Sequence, residues 1–110
     1  ERVLPDGWVH ATRLPTPPSL STTADDKLVR PYGVQWWLNR QYAKGGVLTK
    51  IQPTLPDDAF WCHGYEHQVV LVVPSRDLVV VRLGVTKKEE WWPMGSFLGN
   101  VTALFPEVGA

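Results

Sequence analysis

The residues best equipped for chemistry stand together at Cys62-His63-Gly64-Tyr65-Glu66-His67. His63, Glu66 and His67 fit H-x-x-E-H, a pattern that grips zinc when a helix sets two imidazoles four residues apart on one face. The flanking residues point to a strand instead, because Ala59–Val73 (AFWCHGYEHQVVLVV) is rich in β-branched and aromatic side chains, with Gly64 as a bend. Along one strand, positions four apart lie ~13 Å from each other. Zinc bonds of ~2 Å cannot span that gap. The remaining histidine is His10, far away in sequence. The expectation is therefore no metal ligand and no cofactor.

Nucleophiles are equally poorly supported. Cys62 directly precedes His63, so on a strand the two side chains point to opposite faces, and the thiol reads as a small buried residue. The serines are Ser19, Ser21, Ser75 and Ser96. None lies in a G-x-S-x-G elbow, none has a lysine three residues on, and no tyrosine begins Tyr-x-Asn or Tyr-x-Ser. By its own residues the chain is not expected to form a covalent acyl intermediate.

The elements that would position these residues are few. In 110 residues, 11 Lys plus Arg balance 11 Asp plus Glu, and the formal net charge is zero. Such a chain has no long-range pull on phosphate backbones, so nucleic acid is not expected as a partner. No apolar run approaches the roughly 20 residues of a membrane span. A single cysteine excludes an internal disulfide. The first residue is Glu1, which suggests a processed or excised piece.

Residues 1–31 read as an irregular linker with one short helical turn, capped by Asp6 and carrying Trp8, Val9 and Thr12. The prolines of Leu14–Ser19 stop it, and Ser19–Asp26 is a polar loop. Tyr32–Asn39 (YGVQWWLN) is a strand, with a brief second one at Val47–Ile51 after Gly45-Gly46. Ala59–Val73, the turn Pro74–Asp77 and Leu78–Val85 make an antiparallel hairpin across Ala59–Val85. A helix from Pro93 aligns Met94, Phe97, Leu98, Val101, Leu104 and Phe105 as an apolar stripe, with Pro106 ending it. The fold class is α+β: an antiparallel sheet packed by a C-terminal helix. Val69–Val73 and Leu78–Val81 are apolar without alternation, so the sheet is expected to need cover on both faces.

Taken in order, YGVQWWLN at Tyr32–Asn39 and FWCHGYEHQVVLVVPSRDLVVVRLG at Phe60–Gly84 resemble the closing portion of β-lactamase-like (penicillin-recognising) serine hydrolases. The branch of 6-aminohexanoate-dimer hydrolases and class C β-lactamase-related esterases is the most similar in look. The opening LPDGWV with its Pro-Thr-Pro segment resembles the link before that first strand. The resemblance runs from about Leu4 to Phe105. It implies a partial β-lactamase/transpeptidase-like fold at 32–110 and a bacterial cytoplasmic or periplasmic setting.

It also implies that the attacking serine and its lysine lie upstream, in the remainder of the same hydrolase. Cys62-His63-Gly64 is similar to the third active-site element, Lys-Thr-Gly in many members, with Cys62 at the lysine position and His63 at the threonine. Tyr65 then lends its backbone N–H to the oxyanion hole, beside a glycine that lets substrate approach. Without the lysine, recognition of a substrate carboxylate is not implied, and His67 stands where many relatives have glycine before Gln68. His63 reads either as a proton donor to a leaving group or as a hydrogen-bonded lining residue. Trp36, Trp37, Trp61, Trp91 and Trp92 read as packing residues or as a ligand-binding patch.

The functional expectation is a contributor of sheet, helix and oxyanion donor to an enzyme that cleaves a small-molecule amide or ester. The alternative is a non-catalytic α+β binding module. Zinc hydrolysis through His63, Glu66 and His67 ranks last.

Overall fold

Short β-prone runs interrupted by tight reversals build an antiparallel sheet along most of the chain. The computed structural model describes residues 1–15, 31–44, 47–87 and 92–108. The expected polar loop Ser19–Asp26, the Gly45-Gly46 pair and Trp91 lie outside them. The helical turn α1 is Trp8–Thr12. Gly7, in the left-handed region at φ 75°, occupies its N-cap position, and Asp6 makes no cap there. The Asp6 carboxylate instead pairs with Arg2 one turn back.

Strand β1 is Trp37–Leu38. The eight-residue strand expected at Tyr32–Asn39 is thus mostly a tight loop. Gly33 N–H donates to the Trp36 carbonyl at 2.8 Å, Gln35 takes a positive φ of 73°, and Tyr32 bridges back to Trp37. The loop docks on α1, where Val34 N–H donates to the Thr12 carbonyl at 2.8 Å. A Cβ on Gly33 would lie 2.3 Å from that same carbonyl oxygen, so only glycine fits. β2 (Tyr42–Lys44) and β3 (Val47–Thr49) form a separate two-stranded ladder.

Residues 59–73 do not form one strand. β4 is Phe60–His63, and β5, Val69–Val73, runs back antiparallel to it. β6 is Leu78–Arg82, and the sheet order is β1-β4-β5-β6. The β5–β6 hairpin turns at Pro74–Asp77 as expected, with Asp77 N–H donating to the Pro74 carbonyl at 3.0 Å and Asp77 left-handed. The second reversal, inside the expected strand, is a two-residue turn at Glu66-His67.

Helix α2, Met94–Ala103, covers one face of the sheet. Register sets Trp61, Leu71 and Val80 in one row on that face, and His63, Val69 and Arg82 in the next. Trp61, Val69, Leu71, Val73 and Leu78 pack there with Leu55, Met94 and Leu98 into the core. Burying a leucine such as Leu98, which is 0% exposed, stabilises by about 1.5–3 kcal/mol. The helix buries Met94, Leu98 and Thr102, while Leu104 and Phe105 fall past its end and stay exposed. The expected stripe therefore stops one turn early.

Burial along β5 alternates, and on the face away from α2 Val79 and Val81 of β6 are 61% and 55% exposed. Cover on both faces, expected from the unbroken apolar runs, is not found for β6 among the described residues.

The 50–58 loop clamps sheet to helix. Asn39, 1% exposed, donates through Nδ2 to the carbonyls of Gln52, Leu55 and Pro56 at 2.9–3.0 Å and accepts from Gln52 N–H through Oδ1 at 3.0 Å. Thr54 Oγ1 donates to the Gly95 carbonyl at 2.6 Å. A Cβ on Gly99 would lie 2.8 Å from Thr54 Cβ, so this loop and the helix meet at a glycine.

Candidate functional site

The chemistry-bearing residues gather where β4 turns into β5. Tyr65–Gln68 is a reversal whose two central residues, Glu66 (φ 56°) and His67 (φ 64°), are both left-handed, and Gln68 N–H donates to the Tyr65 carbonyl at 3.3 Å. Such a turn matches the twist of a hairpin but prefers Asn-Gly, because other L-residues meet a steric penalty there. Here the penalty is offset from outside. Arg82 Nη1 donates to the carbonyls of Glu66 (3.2 Å) and His67 (3.1 Å), and Nη2 donates to Thr86 Oγ1. The guanidinium carbon stands 4.5 Å over the Trp92 ring. Gln68 completes the support, with its Oε1 accepting from Gly84 N–H at 3.0 Å and its Nε2 donating to the Gly84 carbonyl.

This reversal overturns the ~13 Å separation expected on a single strand. His63 Nε2 and His67 Nδ1 are 3.1 Å apart, with ring centroids at 5.2 Å. His67 also lies 5.9 Å from the Trp92 ring. Burial, and then the charge of His67, hold the His63 imidazole below its ordinary pKa. Among the described residues, no group of three or more His, Cys, Asp or Glu side chains is arranged to hold a metal ion.

Cys62 lies in the row with Val70 and Val81, on the face opposite His63, as alternation required. It is a free thiol, partly exposed, with its pKa pushed up by burial.

Among the described residues, no strand pairs with the backbone edge beyond Trp61 on the β1 side. β1 pairs with Phe60 and Trp61 and with neither Cys62 nor His63. Alternation sends the backbone groups of Ala59, Trp61 and His63 toward β1, and those of Phe60, Cys62 and Gly64 toward β5. Two bonds fit this parity: Asn39 N–H to the Ala59 carbonyl at 3.1 Å, and Gly64 N–H to the Gln68 carbonyl at 2.7 Å. Gly64 is extended, so the next donor, Tyr65 N–H, falls on the β1 edge beyond the end of β1. The Tyr65 side chain is 87% exposed. Gly64 needs no special backbone angle, and a Cβ there would make ordinary contact with Gln68. A groove of about 350 Å³ beside this edge is lined by Trp37, Ile51, Gln52, Trp61, His63 and Met94.

Of the residues expected at the substrate edge, Cys62, His63 and Gly64 follow one another at the end of β4 with Tyr65 next, but the Cys62 side chain lies on the face opposite His63 and Gly64 N–H is bonded to Gln68. Sequence reasoning missed Arg82. The available signal was the lack of glycine or asparagine between two β-prone runs, which calls for outside support of any two-residue turn. The aromatic group divides: Trp61 is core, Trp36 and Trp37 pack edge-on to Phe60 and Tyr32, and Trp92 stacks with Arg82 and Phe97. A larger concavity of about 710 Å³ lies at the opposite end of the sheet, where Asp58 accepts from Ser75 N–H and Oγ at 2.7 and 2.9 Å. No helix among the described residues is long and apolar enough to cross a membrane. Comparison with protein-family models, curated proteins and solved structures finds no match for this chain.

Proposed function

We propose that this chain is the sheet-and-helix portion of a β-lactamase-like serine hydrolase acting on a small-molecule amide or ester. The observation that carries the reading is the edge at His63-Gly64-Tyr65, which β1 leaves unpaired among the described residues, beside a groove lined in part by His63 and Gly64; strand parity puts the Tyr65 N–H on that edge. A carbonyl oxygen that gains charge on nucleophilic attack is stabilised by such a fixed donor. The serine that attacks, and the lysine that takes its proton, belong to a part of the enzyme outside residues 1–110. That part packs on the face bearing Cys62, Val70, Val79 and Val81.

The test uses the product of the complete reading frame that contains this chain. A fluorophosphonate probe is expected to label one serine, in a Ser-x-x-Lys outside residues 1–110. No adduct, or an adduct on Ser75 or Ser96, overturns the proposal. In the unlabelled enzyme, Tyr65→Pro removes the N–H and should lower kcat by roughly 10²–10³. Tyr65→Ala keeps the N–H and the rate. Equal rates for the two variants would leave the edge without a catalytic part.

A further inference from the structure

We infer that His63 and His67 together form a two-imidazole site for a borderline transition-metal ion, copper(II) foremost. The inference stands apart from the hydrolase reading, since no acyl chemistry enters it. Two ring nitrogens bonded to one ion at ~2.0–2.1 Å, on neighbouring coordination positions, sit roughly 3 Å from each other. His63 Nε2 and His67 Nδ1 are 3.1 Å apart. The two nitrogens share a hydrogen bond in the ion-free chain; an ion would replace the bridging proton, each neutral ring then keeping its own proton on its other nitrogen.

The frame that holds them is stiff on both sides. His63 is fixed by the β4–β5 register opposite Val69, and His67 by a left-handed turn tied through its carbonyl to Arg82. The pair opens to solvent, so water completes the coordination. Glu66 precedes His67 but is not grouped with the two histidines, and Cys62 lies on the other face. Imidazole donors suit copper, nickel and zinc, in the order of stability that peaks at copper. Hard ions that want carboxylate oxygens are disfavoured.

The test is a titration of the metal-free, untagged chain with copper sulfate at neutral pH, followed by calorimetry and by electron paramagnetic resonance for bound nitrogen. The expected result is one tight equivalent, not displaced by magnesium or calcium. His63→Gln and His67→Gln should each weaken it by more than about tenfold, and His10→Gln should leave it unchanged. Wild-type affinity in both of the first two variants overturns the site. A second measurement needs no substitution. Zinc chloride should protect His63 and His67, but not His10, from diethylpyrocarbonate in the wild-type chain, and equal modification with and without zinc would also overturn it.

Discussion

Arg82→Met is the substitution that most directly probes how the hairpin turn is held. Methionine keeps much of the aliphatic stem and removes the guanidinium. Lost with it are the donations to the Glu66 and His67 carbonyls at 3.2 and 3.1 Å and the stacking on Trp92. Hydrogen bonds from a charged donor contribute about 1.5–3 kcal/mol each when both partners are dry. These are half-buried, and water can replace part of the loss. The cation–π contact adds about 0.5–1 kcal/mol at such a site.

A net cost of about 2–3 kcal/mol follows, or a fall in Tm of roughly 8–12 °C for a chain this size. Urea unfolding followed by tryptophan fluorescence measures it. The partner experiment replaces the turn itself. In Glu66→Asn/His67→Gly the left-handed angles are intrinsically favoured, which relieves about 1–2 kcal/mol of strain per residue, less the lost His63–His67 bond. If Arg82 acts by supporting a strained turn, Arg82→Met should cost about 1 kcal/mol less in that background. Equal costs in the two backgrounds, within about 0.3 kcal/mol, would refute the support role.

Asn39→Ala should be among the most damaging polar substitutions, at about 3–4 kcal/mol, because it strands the carbonyls of Gln52, Leu55 and Pro56 and the Gln52 N–H. An unfolding free energy from urea titration within about 1 kcal/mol of wild type would contradict it. Alkylation of Cys62 by iodoacetamide should be slower in the folded chain than in urea, and its pH midpoint higher, since burial pushes the thiol up. The sign for stability follows. The folded chain holds this proton more tightly, so the contribution is complete below the unfolded thiol's pKa and is lost as pH rises through the folded value. A lower midpoint in the folded chain would contradict the direction.

The legible parts of the fold were those written in local pattern. The β5–β6 hairpin could be read because Pro74–Asp77 separates two apolar runs with a proline and a residue, Asp77, that tolerates the left-handed region. The start of α2 was legible because Pro93 stands before a periodic apolar segment. The reversal at Glu66-His67 was not, because neither residue favours left-handed angles and the support comes from Arg82, 16 residues beyond Glu66. That one hidden turn carried much else with it: it split a strand in two and set His63 against His67. The end of the apolar stripe was misread because Thr102, a polar residue, is buried where Leu104 and Phe105 were expected. At the site, the run Cys62–Tyr65 could be placed at a strand end from its sequence neighbours alone. Which backbone donor is free depended on where β1 stops pairing, and two residues of strand leave too faint a pattern to read.

The two turns of the sheet differ in a way that bears on the order of assembly. Pro74–Asp77 is shaped by its own residues and can close β5 on β6 before anything else is in place. The Glu66-His67 turn cannot hold its angles until Arg82, at the far end of β6, has already been brought beside it. Folding should therefore begin in the β5–β6 pair and add β4 to β5 afterwards, with Arg82 of β6 holding the turn that joins them. High φ-values at Leu71 and Val80, with values near zero at Trp61, would be the kinetic signature of that order.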